Sequence, residues 1–243
     1  MSVLIKICGL STPDALDAAL DAGADMVGFV FFEPSPRHLG LGAARTLGER
    51  VRGRAKKVAL TVDASDDELA RLIEALAPDL LQLHGRETPE RVVVVRTRFG
   101  LPVMKALPIA RREDLAPIRI YDKLVDRILF DARAPREATR PGGLGQPFDW
   151  HLLENLDQNL SFMLSGGLDA ANVAEALEIT RAPAVDVSSG VERAPGVKDP
   201  DKIRAFIRAA RTTAVTMSSR PEEPGSPGHG APRAATAAAQ KRL

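Results

Sequence analysis

Eight short apolar runs alternate with segments of helical period along most of this chain, and no other feature restricts the fold as tightly. The runs are Val3–Ile7, Met26–Phe31, Lys57–Val62, Leu80–Leu83, Val103–Ala106, Arg127–Asp131, Phe162–Ser165 and Ala184–Val187. They are nearly continuously apolar, as strands are when both faces of a parallel sheet are covered. The segments between them read as helices. Thr12-Pro13 supplies an N-cap and a proline at the first helical position, Ala15, Leu16, Ala19 and Leu20 form a stripe, and Gly23 marks the stop. Asp66–Ala75 carries Leu69, Leu72 and Ile73 at the same spacing, with Leu76 beyond. Asp169 is expected to cap a stretch holding Val173, Ala176 and Leu177, and Lys202–Arg211 turns Ile203, Phe206 and Ile207 inward. The fifth and sixth helices are the weakest, because Pro117 interrupts one and the other is short.

Eight β/α alternations point to a closed α/β (β/α)8 TIM barrel, a fold of roughly 250 residues. An open doubly wound sheet is the competing architecture. It would carry a G-x-G-x-x-G loop after its first strand, where this chain has Cys8-Gly9-Leu10-Ser11. From Thr212 onward Pro221, Pro224, Pro227 and Pro232 mix with Gly, Ser, Arg and Ala. The reading is therefore one catalytic domain over residues 1–211 and a disordered, low-complexity tail over 212–243.

Charge and cysteine content exclude several function classes. The net charge is +1 with acids and bases interspersed, so no basic stripe marks a nucleic-acid partner. The longest apolar stretches, such as Met26 to Phe32, are far too short to span a membrane. The N-terminus enters a strand pattern directly, without the features of a signal peptide. One cysteine makes no internal disulfide, and a reducing cytoplasm is the expected compartment. Monomer and homodimer both remain open.

In a (β/α)8 barrel the reactive groups come from the carboxyl ends of strands and the loops that follow. Cys8 ends the first strand. A lone cysteine there is ordinarily a small buried hydrophobe, but Gly9 lets the chain turn away and leaves the sulfur facing the pocket. As a thiolate it abstracts a proton, provided a helix N-terminus or a nearby cation lowers its pKa. Asp131 closes the sixth strand as either a loop cap or a catalytic carboxyl group, and an apolar mouth would favour its protonated, acid form. Ser165-Gly166-Gly167-Leu168 follows strand seven and Ser188-Ser189-Gly190 follows strand eight, the two loops between which barrels often bind phosphate on backbone N–H groups. Pro141-Gly142-Gly143-Leu144-Gly145 adds a mobile loop able to close over substrate. Arg37, after strand two, is either a surface arginine or a bidentate carboxylate clamp. His84 and Asp63 also lie at strand ends. The four histidines and one cysteine have no metal-ligand spacing, so neither metal nor cofactor is expected.

In order, Lys6-Ile7-Cys8-Gly9-Leu10, Gly28-Phe29-Val30-Phe31, Ser35-Pro36-Arg37, Gln82-Leu83-His84-Gly85, Phe130-Asp131-Ala132, Gly142-Gly143-Leu144-Gly145 with Phe148-Asp149-Trp150, Ser165-Gly166-Gly167-Leu168, Val185-Asp186-Val187-Ser188-Ser189-Gly190-Val191-Glu192 and Pro195-Gly196-Val197-Lys198-Asp199 resemble the phosphoribosylanthranilate isomerases of tryptophan biosynthesis. The resemblance runs from the start of the chain to about residue 211. It implies an Amadori rearrangement of N-(5-phosphoribosyl)anthranilate to 1-(2-carboxyphenylamino)-1-deoxyribulose 5-phosphate, without a cofactor. Carried over by position, Cys8 matches the general base, Asp131 the general acid, Arg37 the group that binds the carboxylate, and Gly166-Gly167 with Ser189-Gly190 the phosphate loops. Gly143 and Asp186 complete the expected substrate-binding set. Leu144 departs from the pattern, which usually has Ser or Thr there. A related barrel isomerase of a histidine-pathway aminoaldose would use two carboxyl groups, which Cys8 argues against. An indole-3-glycerol-phosphate synthase would need a catalytic lysine pattern that Lys6 alone does not supply. A non-catalytic phosphometabolite-binding barrel is the alternative from a different class.

Overall fold

In the computed structural model, which describes residues 3–134, 138, 141–143, 147–157 and 159–219, the eight expected strands are all present and close on themselves. The chain runs β1 (Leu4–Cys8), α1 (Pro13–Asp21), β2 (Met26–Phe31), α2 (Leu41–Val51), β3 (Lys56–Thr61), α3 (Asp66–Leu76), β4 (Leu80–Leu83), α4 (Pro89–Phe99), β5 (Val103–Ile109), α5 (Ile118–Tyr121), β6 (Arg127–Ala132), β7 (Phe162–Leu164), α6 (Val173–Thr180), β8 (Ala184–Val187), a small hairpin of β9 (Glu192–Ala194) and β10 (Val197–Lys198), and α7 (Pro200–Ser219). All barrel pairings are parallel. The closing pair sets Lys6 of β1 beside Asp186 of β8.

Local chemistry explains most boundaries. Thr12 Oγ1 accepts from the Ala15 N–H to start α1, Ser65 and Glu68 form a reciprocal capping box on α3, and Gly100 ends α4 in the left-handed region. The fifth and sixth connections are irregular, as expected. Residues Arg112–Leu115 form a 3-10 turn before the one-turn α5, and Trp150–Leu153 is the 3-10 turn between β6 and β7. Asp169 sits outside its helix: its carboxylate accepts from the N–H groups of Ala171 and Asn172, and α6 begins only at Val173.

The expected boundary at residue 211 is too early. Helix α7 continues to Ser219, because Ala210 and Ala214 extend the buried stripe of Ile203, Phe206 and Ile207, and Thr213 Oγ1 donates to the Ala209 carbonyl. Small residues kept the helical period where bulk hydrophobicity faded. Residues 220–243 lie outside the described residues.

Two cores result. The larger fills the space between sheet and helices. The smaller plugs the barrel with Met26, Leu80, Leu129 and Ala184 from even strands and Val58, Met104, Ala106 and Met163 from odd ones. Toward the carboxyl ends of the strands this apolar plug gives way to charged and polar side chains. Among the described residues no helix is long and apolar enough to cross a membrane.

Candidate active site

At the carboxyl end of β1, the chain turns sharply: Gly9 adopts φ +76°, and the N–H groups of Gly9 and Leu10 both donate to the Gly28 carbonyl. A Cβ on Gly9 would stand 2.6 Å from Arg37 Cδ, so the glycine also makes room for that arginine to cross. Cys8 is buried yet lines the cavity above the barrel plug. Burial raises its thiol above the ordinary value. Lys6 and Lys198 pull it down and Asp186 pushes it up, leaving the net shift upward. The cations foreseen as the condition for a thiolate are therefore present, but desolvation outweighs them.

Asp131, ending β6, faces the same cavity. Its Oδ1 accepts from the Ala132 N–H at 2.9 Å, and its Oδ2 lies 3.1 Å from His84 Nε2. The Gln82 amide nitrogen lies 2.9 Å from His84 Nδ1, so the imidazole is held between Gln82 on one side and Asp131 on the other. His84 is itself fixed. Lys105 Nζ donates to the carbonyls of Leu83 and Gly85 on either side of it, and Glu87 closes the clamp by pairing with Lys105 at 3.0 Å and accepting from the Gly85 N–H.

Arg37 also reaches the cavity, though not with an open fork. Its Nε and Nη2 donate to the Glu192 carboxylate at 2.7 and 2.8 Å, and Nη2 also donates to the Gly143 carbonyl. Lys198 Nζ pairs with the same carboxylate at 2.8 Å and donates to the Ser188 carbonyl. The bidentate clamp expected for a ligand carboxylate is thus occupied by the protein's own Glu192, although Arg37 still lines the cavity. Burial drives Glu192 upward, but the hydrogen bonds and charges of Arg37 and Lys198 outweigh it and hold its carboxyl below the usual range.

The glycine-rich loops complete the rim. Gly166 (φ +86°) and Gly167 (φ +68°) follow β7, and a Cβ on Gly166 would collide with the Ala132 backbone nitrogen. Gly166, Gly167 and Ser189 line the cavity, and among the described residues their N–H groups donate to no protein acceptor. Such N–H groups are what an anion requires. Gly190 does not line the cavity. A side chain there would strike the Leu168 carbonyl, so it lets the two loops pack. Gly142 and Gly143 lie over the site from the other side. A Cβ on Gly142 would meet Asp131 Oδ2 and His84 Nε2, and one on Gly143 would stand 2.6 Å from Arg37 Nη1. Leu144, whose departure from the expected pattern was noted, lies outside the described residues. Asp186 lines the cavity, but Oδ1 pairs with Lys6 at 2.8 Å and Oδ2 accepts from Ser165 at 3.2 Å, so it meets a ligand as part of a cluster.

The family model for N-(5'-phosphoribosyl)anthranilate isomerase matches residues 5–209. The chain belongs to that isomerase family. Among curated relatives, an N-(5'-phosphoribosyl)anthranilate isomerase of Bradyrhizobium diazoefficiens is 68% identical over 213 residues, covering 88% of this chain and 96% of the relative. One of Nitrobacter winogradskyi is 63% identical over 217 residues, covering 89% and 96%. The crystal structure of phosphoribosyl anthranilate isomerase from Thermotoga maritima superposes with a TM-score of 0.78 at 33% identity, covering 86% of this chain and 99% of that one. A solved family member in complex with reduced 1-(o-carboxyphenylamino)-1-deoxyribulose 5-phosphate gives 0.76 at 31% identity, with the same coverage.

Within this isomerase fold the structure brings Cys8, Arg37, Asp131, Gly143, Gly166, Gly167, Asp186 and Ser189 to one cavity and sets Gly190 behind it. Sequence reading gave His84 a strand end but no role. The signal was available: His84 lies just past β4, two residues after Gln82, and so continues its inward side. It assigned nothing to Glu192, Lys105 or Glu87, whose pairings with Arg37 and with each other cross between elements.

Proposed function

We propose that this chain is an N-(5'-phosphoribosyl)anthranilate isomerase that converts its substrate to 1-(2-carboxyphenylamino)-1-deoxyribulose 5-phosphate, with Asp131 as general acid and Cys8 as general base. One observation carries the reading: a thiol from β1 and a carboxyl group from β6 line the same cavity, beside Arg37 and backbone N–H groups that have no acceptor among the described residues. Asp131 gives a proton to the ribose ring oxygen. The C1–O bond breaks and the nitrogen lone pair forms a C=N bond, leaving an open-chain Schiff base. Cys8, as thiolate, takes the proton from C2. The C–H electron pair becomes a C1=C2 bond and the C=N pair returns to nitrogen, giving an enolamine that tautomerises to the ketone. Protons move and no electrons leave, so the reaction needs no redox partner. The N–H groups of Gly166, Gly167 and Ser189 take the phosphate, and Arg37 meets the anthranilate carboxylate.

The pathway setting is tryptophan biosynthesis, and the expected compartment is the cytoplasm, where one unpaired thiol stays reduced. The test is the loss of anthranilate-type fluorescence when phosphoribosylanthranilate is added to purified protein. Cys8→Ala and Asp131→Asn should each lower kcat by about 10^2–10^4 with the fold intact by circular dichroism. Unchanged turnover in either variant would remove that residue from the mechanism.

A further inference from the structure

The barrel interior holds one lysine that the proposed mechanism does not use. Lys6 is fully buried, two residues before Cys8 on β1, so both side chains project to the same side of the sheet. Gly28 on the neighbouring strand leaves the space between them open. The point where its Cβ would stand is 3.0 Å from Cys8 Sγ and 3.2 Å from Lys6 Cε. On its other side Lys6 pairs with Asp186 at 2.8 Å, and Asp186 in turn accepts from Ser165. A buried ammonium is costly unless something nearby uses its charge.

We infer that Lys6 and Asp186 are positioning residues that together set how much of Cys8 is thiolate, with Lys6 promoting and Asp186 restraining ionisation. This rests on Cys8 being the base. The charged groups facing the sulfur are Lys6 on its own strand, Asp186 on β8 and Lys198 on β10. With Lys6 and Asp186 neutralising one another, ionising Cys8 leaves a buried cluster with one negative charge, which Lys198 offsets among the described residues. Removing Asp186 lets the Lys6 ammonium serve the thiolate alone. Removing both members of the pair leaves the sulfur with less cationic support than before. Burial opposes the charge of Lys6, but Asp186 and Cys8 together hold its ammonium above the usual lysine range.

The chain has one cysteine, so thiolate absorbance near 240 nm, measured against a Cys8→Ala blank that cancels Tyr121, reads this sulfur alone. At pH 9, Asp186→Asn should raise the thiolate fraction several-fold, and Lys6→Met should lower it about tenfold, the effect of a shift of about one pKa unit. Lys6→Met leaves Asp186 without its cation and can fail to fold. The double variant Lys6→Met/Asp186→Asn restores neutrality and should still show less thiolate than the parent. A thiolate fraction that is the same in the parent, Asp186→Asn and the double variant would overturn the inference, whatever happens to turnover. If the thiolate moves as stated and kcat follows it at fixed pH, both the inference and the role of Cys8 stand. If the thiolate moves and kcat does not, the inference stands and the general-base reading of Cys8 falls.

Discussion

Replacing Glu192 with glutamine keeps its shape and removes its charge, and so isolates what holds Arg37 in the cavity. The carboxylate accepts from Arg37 Nε at 2.7 Å, Arg37 Nη2 at 2.8 Å, Lys198 at 2.8 Å and the Gly196 N–H at 3.2 Å. Glutamine has one acceptor oxygen. Its best placement keeps the contacts to Arg37 Nε and Lys198 and turns an amide nitrogen toward Arg37 Nη2 and the Gly196 N–H, donor against donor. Two buried cations then lack a counter-ion. Removing one partner of a buried pair costs about 3–5 kcal/mol. For a domain of this size each kcal/mol lowers Tm by about 2–4 °C, so Glu192→Gln should melt about 6–20 °C below the parent at pH 7. Because Arg37 loses its frame, KM should rise several-fold while kcat changes less.

The acid dependence gives an internal check. Glu192 has its folded-state carboxyl held below the usual value, so its stabilising contribution is present above the unfolded range near pH 4.3 and is lost as pH falls through the folded value. The Tm gap between parent and variant should therefore be full at pH 7 and should narrow on acidification below about pH 4. Differential scanning calorimetry across that range measures it. A Tm within about 2 °C of the parent at pH 7, or a gap that does not change with pH, would refute the claim that this carboxylate organises the cluster.

Gly142→Ala places a methyl group against Asp131 Oδ2 and His84 Nε2, so steady-state assay should show a fall in kcat larger than any change in Tm. Gly166→Ala forces a side chain into the left-handed region, which costs about 1–2 kcal/mol, and against the Ala132 backbone; it should raise KM and weaken competition by inorganic phosphate. Ending the chain after Arg211 removes the buried Thr213 and Ala214 and should lower Tm by several degrees, whereas ending it after Ser219 should leave both Tm and kcat/KM within twofold or a degree of the parent. Equal melting of the two truncations would show that the last turns of α7 contribute nothing to packing.

The strands were legible because a covered parallel strand is a short, continuous apolar run, a pattern carried within a few neighbouring residues. So were the strand ends, which is why Cys8, Asp131 and the two glycine loops could be picked out before any coordinates. Helix α7 was cut short because Ala210, Thr213 and Ala214 keep the helical period with little bulk. The partners of the site residues were not legible, for a geometric reason. Arg37 and Glu192 stand 155 residues apart, Lys6 and Asp186 180 apart, and His84 and Asp131 47 apart. Lys6 meets Asp186 because the sheet closes and returns β8 to β1, His84 meets Asp131 across β5, and no local pattern encodes either pairing. Arg37 shows the consequence: its type and position suggested an open bidentate clamp, and tertiary pairing had already occupied it.

Three buried charge clusters share one placement, and it explains how an apolar barrel carries a polar site. Lys6 with Asp186 lies beneath Cys8, Glu192 with Lys198 frames Arg37, and Lys105 with Glu87 clamps the loop bearing His84. Their contacts reach the site residues at the strand ends: Gly28 stands between Lys6 and Cys8, Glu192 holds Arg37, and Lys105 binds the carbonyls on either side of His84. Hydrophobic packing is non-directional and tolerates small displacements, whereas a paired and hydrogen-bonded charge holds its neighbours to within a few tenths of an ångström or loses its partner. Acid–base chemistry on a small sugar needs that second kind of constraint at the rim, and the fold needs only the first kind below it. The division follows the strand direction, so the same eight strands that close the barrel also separate the part that makes it stable from the part that makes it reactive.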